Sequence, residues 1–405
     1  MSYGRSTIST AICCSALFVT CVLAVGALLA DAWAEDTPGP VAQKVEHIAL
    51  RFKEAEKAAE KRLLSEGLRL EFYGYLEGSY TQNFNNPSNR INELRIFDVN
   101  SNQVRPNLAA LVLEREAKAE GTGWDRFGFH VKFNAGRDSD FIGGLNLSPW
   151  TDFQEFYVQY QAPVGRGLNI QAGQINSLVG YEVVESPYNA NYSRSWLFGL
   201  GQPFTTRGVR TSYEFNKQVS LSVGAIAYIN SARADTNYAP LVEYALAVSP
   251  TEKVRLTFYG LAGPRDGPTG TPGGTLVLAG GFLSLHLSDR TSAVIESYYA
   301  NQPNSSTISA GRNARWDGVA AYLIQDITKE WGVRLRGEIF EDASGMVTCQ
   351  GTTEYQPRAN VCFGATSTAS APPVAQTLWE FTGTVQFKPF ASLMTRLEYR
   401  YDKSN

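Results

Sequence analysis

From Leu70 onward, apolar and polar positions alternate with a period of two. Phe127, Phe129, Val131, Phe133 and Ala135 alternate with Arg126, Gly128, His130, Lys132 and Asn134. Val219, Leu221, Val223, Ala225, Ala227 and Ile229 share one face of a second run, and Val333, Leu335, Gly337 and Ile339 share one face of a third, against Arg334, Arg336 and Glu338. Leu393, Thr395, Leu397, Tyr399 and Tyr401 oppose Met394, Arg396, Glu398, Arg400 and Asp402. Such a period predicts strands with one greasy face and one charged or small face. Counting predicts 15 of them, at 70–84, 107–118, 126–136, 152–162, 168–176, 206–216, 219–230, 240–249, 253–262, 275–288, 291–301, 316–327, 331–341, 377–388 and 391–402.

Alternation alone fits a soluble sandwich as well as a barrel. The connections discriminate. Short turns fall at Gly121-Thr122-Gly123, Gly165-Arg166-Gly167, Asn216-Lys217, Ser249-Pro250, Ser288-Asp289, Thr328-Lys329 and Lys388-Pro389. Long polar connections fall near 85–106, 137–151, 177–204, 231–239, 263–274, 302–314 and 343–375. Short and long alternate strictly, the pattern of a transmembrane antiparallel β-barrel with tight periplasmic turns and long external loops. Phe127, Tyr160, Phe215, Trp331 and Phe387 sit beside the short turns, where an interfacial aromatic girdle belongs.

Ahead of the strands lie two segments of other character. Arg5, the apolar run Ala11–Ala30 and Ala32-Trp33-Ala34 make residues 1–34 a signal peptide cleaved near Ala34, so the mature chain is expected to start at Glu35. Residues 35–68 form a periplasmic helical segment: Val41, Val45, Ile48, Phe52, Ala55 and Ala59 follow a 3-4 spacing, and Gly67 is a stop. Two readings of it stand, a short coiled coil supporting a homotrimer and a lone amphipathic helix against the barrel. Residues 69–405 form the barrel.

Composition narrows the function. Lys+Arg 36 against Asp+Glu 39 gives a net charge of −3, which argues against a nucleic-acid partner. The 3 His are too few and scattered for a multi-histidine metal centre, and no cofactor is called for. Cys349 and Cys362 lie in a Gly/Thr/Ser/Pro-rich stretch of an exported chain and are expected to form a disulfide closing the seventh long loop.

The ordered set Gly74-Tyr75, Arg95-Ile96-Phe97-Asp98, Gly173-Gln174, Gly180-Tyr181-Glu182, Asn191-Tyr192-Ser193-Arg194-Ser195, Gly208-Val209-Arg210 and Arg396-Leu397-Glu398-Tyr399-Arg400-Tyr401-Asp402 resembles the OmpL-like β-barrel porins of Gram-negative outer membranes. Arg207 departs from the more typical His-Thr-Gly run, and the chain stops just after Tyr401-Asp402. The resemblance implies 16 strands, a bacterial outer-membrane location and contact with outer-membrane lipid and lipopolysaccharide. With 15 strands counted, an eighth external loop and a sixteenth strand are expected to be missing, leaving a gap between 70–84 and 391–402.

If the greasy face meets lipid, the opposite face lines a pore. It carries Lys132, Glu155, Arg210, Arg255, Glu296, Arg334, Arg336, Glu338, Glu380, Arg396, Glu398 and Arg400. These charges would orient and filter small polar solutes, or else form a salt-bridge lattice that fills the lumen. In 16-stranded porins the third external loop narrows the pore. The resemblance carries that role to Glu182, Glu185, Tyr188, Asn191, Tyr192 and Arg194 within 177–204; the alternative is an external loop packed on its neighbours.

Catalytic signals are weak. His286 shares a strand face with Ser284 and Ser288, but two residues along a strand is ~7 Å, beyond hydrogen-bond reach. Asp138-Ser139-Asp140 lacks the full calcium-loop pattern and reads as a solvated loop. The expectation is a porin, not an enzyme, for passive diffusion of small hydrophilic solutes. The rival is a non-conducting barrel that anchors the envelope or binds a partner.

Overall fold

The computed structural model describes residues 69–142, 150–229, 240–266, 272–304, 313–348 and 375–405. The expected signal peptide at 1–34, the expected helical segment at 35–68, and Cys349 and Cys362 lie outside the described residues.

One 15-stranded sheet runs in sequence order, every neighbour antiparallel. Its first strands are β1 (Glu71–Thr81), β2 (Gln103–Arg115), β3 (Phe127–Ala135), β4 (Thr151–Ala162) and β5 (Leu168–Asn176). Next come β6 (Thr205–Glu214), β7 (Val219–Ile229), β8 (Leu241–Thr251), β9 (Val254–Asp266) and β10 (Pro272–Ser288). The meander ends with β11 (Thr291–Gln302), β12 (Ala314–Asp326), β13 (Trp331–Asp342), β14 (Gln376–Phe390) and β15 (Leu393–Ser404). Two short helices sit in loops, α1 (Ser139–Ile142) and α2 (Trp196–Gly201).

Burial along the strands is the reverse of a water-soluble sheet. On β14, Trp379 and Phe381 are 51% and 52% exposed, while Glu380, Thr382, Thr384 and Gln386 between and beyond them are buried. On β13, Arg334, Arg336 and Glu338 are buried while Trp331 and Ile339 are exposed. Apolar side chains out and charges in is the arrangement lipid demands, because an outward charge near the midplane costs about 2–4 kcal/mol. Beside the short turns the outward aromatics pair across strands. Phe127 and Tyr160 have centroids 4.7 Å apart, and Trp331 stacks on Phe387 at 4.3 Å.

Three particulars differ from the sequence pattern. Ile229 points inward, not with Val223, because a bulge in the β6–β7 ladder skips Ala227 and reverses the parity beyond it. The inner face is not only charged or small. Leu241, Tyr259, Leu261, Leu276, Leu278, Tyr298, Trp316 and Tyr322 of β8–β12 are buried in one apolar cluster. Asp138 is not solvated: it is buried in the β3–β4 connection, with Arg105 Nη2 at 3.2 Å and Asn107 Nδ2 at 3.3 Å.

The sheet is not closed, since no ladder joins β15 to β1. With an odd number of antiparallel strands these two run the same way, so direct closure would be parallel. An ion pair reaches across the seam, Arg95 of the β1–β2 loop to Asp402 of β15 at 2.7 Å.

Candidate functional site: an infolded loop in a charged lumen

The β5–β6 connection, residues 177–204 and hereafter L3, lies inside the sheet. It bonds to strands on both sides of the seam. Its apolar side chains seat it. Val179, Trp196, Leu197 and Leu200 join the cluster on β7–β14, and Val184, Phe198 and Phe204 join a second with Ile96, Phe97, Leu108, Phe141 and Ile142. Burying those side chains supplies attraction without direction. Polar groups fix the position.

Carboxylates of the strands accept the loop's backbone amides, often two in succession. Glu338 takes Trp196 N and Leu197 N, each at 2.6 Å. These are first-turn amides of α2, which an α-helix leaves without internal partners. Ser195 caps the same turn, its Oγ accepting from Phe198 N at 3.1 Å, and Glu182 accepts from Ser195 N at 2.8 Å. Glu398 takes Tyr192 N at 2.6 Å and Ser193 N at 2.9 Å. Glu296 takes Tyr181 N at 2.8 Å and the Tyr259 hydroxyl at 2.6 Å.

Arginines bind the loop's carbonyls and acids. Arg336 is enclosed. It donates to Ser193 O at 2.6 Å and pairs with Glu182 at 2.8 Å and Glu380 at 2.5 Å. Glu338 and Glu380 are direct cross-strand neighbours. Like charges so placed repel, and Arg336 beside them makes the pairing tolerable. Arg396 donates to Ser186 O at 2.9 Å and Asn189 O at 2.5 Å. Arg400 donates to Arg194 O at 2.5 Å, pairs with Asp402 at 2.6 Å and lies over the Trp196 ring.

On the opposite wall, Lys132 of β3 pairs with Glu185 of L3, which also accepts from Gln154 Nε2 at 2.7 Å and Asn176 Nδ2 at 3.1 Å. Burial opposes ionisation of Glu185, but Lys132 and these donors outweigh it and hold the carboxyl at about 2. Asn191 donates to Thr384 at 2.8 Å, and the Tyr192 hydroxyl accepts from Asn107 at 2.6 Å. Arg194 turns back onto Val184 O at 2.6 Å and over Phe97. Tyr188 is exposed.

All twelve strand charges singled out from the pattern therefore face inward, but they do different things. Arg336, Glu338, Glu398, Glu296, Arg396, Arg400 and Lys132 hold L3, and Glu380 pairs with Arg336 and Arg400. Glu155 accepts from Asn176 N at 3.0 Å, Arg210 pairs with Glu243 at 2.8 Å, and Arg334 pairs with Asp326 at 2.6 Å. Arg255 holds none of these. Pattern reading passed over Glu243, which shares its strand face with Leu241, and Glu114, which lies 2.8 Å from His130 Nδ1. Inward parity was the available signal for both.

Below L3, toward the short turns, the inner face changes character. Gln159, Gln161, Asn169, Gln171, Ser212 and Ser222 are polar, uncharged and partly exposed. The ladders place Gln159 beside Gln171 and Gln171 beside Arg210, on the lumen side.

Residues 69–405 match the family described as "Putative beta-barrel porin-2, OmpL-like". The chain belongs to this family. As an OmpL-like porin it is an outer-membrane β-barrel. Among solved structures it is similar to an anion-selective porin from Comamonas acidovorans, at 7% identity, TM-score 0.51, over 83% of this chain and 89% of that one. It is also similar to a loop L8 deletion mutant of OmpT, an outer membrane protein of Vibrio cholerae. There the identity is 10% and the TM-score 0.50, over 83% of this chain and 94% of that one. At these identities the likeness shows the fold alone. No curated protein matches the chain.

Proposed function

We propose that this OmpL-like chain is a porin for passive diffusion of small hydrophilic solutes or ions, with L3 as the element that narrows its lumen. The observation that carries the reading is the change along the inner face. Externally L3 is anchored on both sides of the lumen, while toward the short turns the wall on β4–β7 is a partly exposed surface of amides and hydroxyls. A lumen meant to be solid would be packed there as well. Export by a signal peptide cut near Ala34, lipopolysaccharide around the barrel and a homotrimer built on residues 35–68 belong to the same proposal.

The same proposal takes the chain as a porin and not as an enzyme. Among the described residues, the acid groups around Arg336 are spent on ion pairs and backbone amides, and His286 meets Ser292 Oγ at 3.1 Å with no acid to orient it.

A second reading has its own support. The two apolar clusters that L3 shares with the walls are what a plugged, non-conducting anchor would need. Liposome swelling separates the two. Vesicles carrying the protein should swell in isotonic solutions of small sugars, more slowly as sugar mass rises. No swelling with any solute would favour the anchor.

A further inference from the structure

On the periplasmic half of the inner wall, β9–β11 present a patch of donors and hydroxyls without an acid. Arg255 and Thr257 stand two residues apart on β9, on the face that carries buried Tyr259. Ser284 of β10 is the cross-strand partner of Arg255. Two residues nearer the turn, His286 is paired with Ser292 of β11. Cross-strand partners stand about 5 Å apart at Cβ, so these side chains share one surface.

Two atoms in the patch lack the partners that burial demands. Arg255 Nε is shielded from solvent and makes no hydrogen bond, and among the described residues Arg255 has no ion pair. Arg210, Arg334, Arg336, Arg396 and Arg400 each donate to a protein acceptor, although Arg400 Nη2 is also buried without one. Thr257 is 8% exposed, and its Oγ1 is likewise unbonded. Buried polar atoms are almost always satisfied, so an orphaned pair facing a lumen marks a place for a ligand. Nearby acids do not answer for it. Glu243 is spent on Arg210 and Glu296 on Tyr181 N and the Tyr259 hydroxyl. Glu252 in the β8–β9 turn is exposed.

We propose that Arg255, Thr257 and Ser284 form an oxyanion subsite on the periplasmic side of L3, flanked by His286 and Ser292. The guanidinium takes the carboxylate or phosphate group of a small solute, and the two hydroxyls donate to its remaining lone pairs. This names a solute class for the proposed pore and rests on that reading for how the solute arrives.

The test is equilibrium dialysis of the full chain, folded in detergent, against labelled succinate and, separately, labelled inorganic phosphate. Folding of each variant is checked by heat-modifiable gel migration. The wild type should bind at least one probe, and the preferred one identifies the group. Arg255→Gln should weaken binding at least tenfold and Thr257→Val severalfold. Arg255→Lys, which keeps the charge, should retain part of it, and Lys217→Gln in the distant β6–β7 turn should change nothing. No binding of either probe by the wild type, or binding indifferent to Arg255→Gln, overturns the subsite. Single-channel conductance of the same preparations keeps the two claims apart. Arg255-dependent binding in a silent barrel would retain the subsite and remove the pore. Conductance with Arg255-independent binding would do the reverse.

Discussion

Arg336 and Glu185 illustrate how single residues hold L3, and each gives a prediction. Arg336→Gln leaves Glu182 buried without its cation and Glu380 with Arg400 alone, at 3.3 Å. Breaking a buried ion pair from one side costs about 3–5 kcal/mol. The variant should lose thermal stability in detergent, and adding Glu182→Gln should restore part of the loss. An unchanged melting temperature would mean that the triad carries no weight. Glu185 makes the anchor on the other wall pH-dependent. Its carboxyl is lowered from 4.5 to about 2 in the folded protein. A depressed acid stabilises the fold fully above its unfolded pKa and loses that contribution as pH falls through the folded value. The anchor should therefore hold down to about pH 4.5 and weaken as pH drops toward 2. Lys132→Met should move that loosening to higher pH. Protease access to L3, measured at intervals between these limits with an acid-active protease, checks both the window and its shift.

At the level of elements, α2 depends on space as much as on bonds. Trp316 Nε1 donates to Gly201 O at 2.8 Å, and a Cβ on Gly201 would stand 2.0 Å from the Tyr298 hydroxyl and 2.9 Å from Trp316 Cδ1. Gly201→Ala should cost about 1–3 kcal/mol by overpacking and shift α2 off β11 and β12. A fall in melting temperature with altered tryptophan emission is the expected result. The strands themselves were legible in the sequence, because one face meeting lipid imposes a strict period of two and the turn residues mark where it breaks. β13 runs to Asp342 where alternation predicted 341, and β15 to Ser404 where it predicted 402. The Ile229 parity was not legible, since a bulge is one extra residue without a composition signal of its own. Nor was the apolar inner face of β8–β12, where both faces are greasy and alternation carries little contrast. L3's length and position could be read, but not its anchors. Glu182 meets Arg336 across 154 residues of sequence and Tyr192 meets Glu398 across 206. Only the curl of the sheet around L3 brings such positions together.

For the whole molecule, the arrangement is a lipid-facing meander whose lumen is divided by depth. Toward the long loops L3 and parts of the β1–β2 and β3–β4 connections narrow the lumen, and toward the short turns it is lined by amides and hydroxyls on β4–β7, the Arg334–Asp326 pair and the Arg255 patch. In the proposed porin, L3 sets the bore. Single-channel conductance in planar bilayers tests this most directly, comparing the full chain with a variant in which residues 182–195 are replaced by a short Gly/Ser link. The account predicts discrete small steps for the full chain and steps several-fold larger for the variant. Equal steps in both, or silence in both, would contradict it.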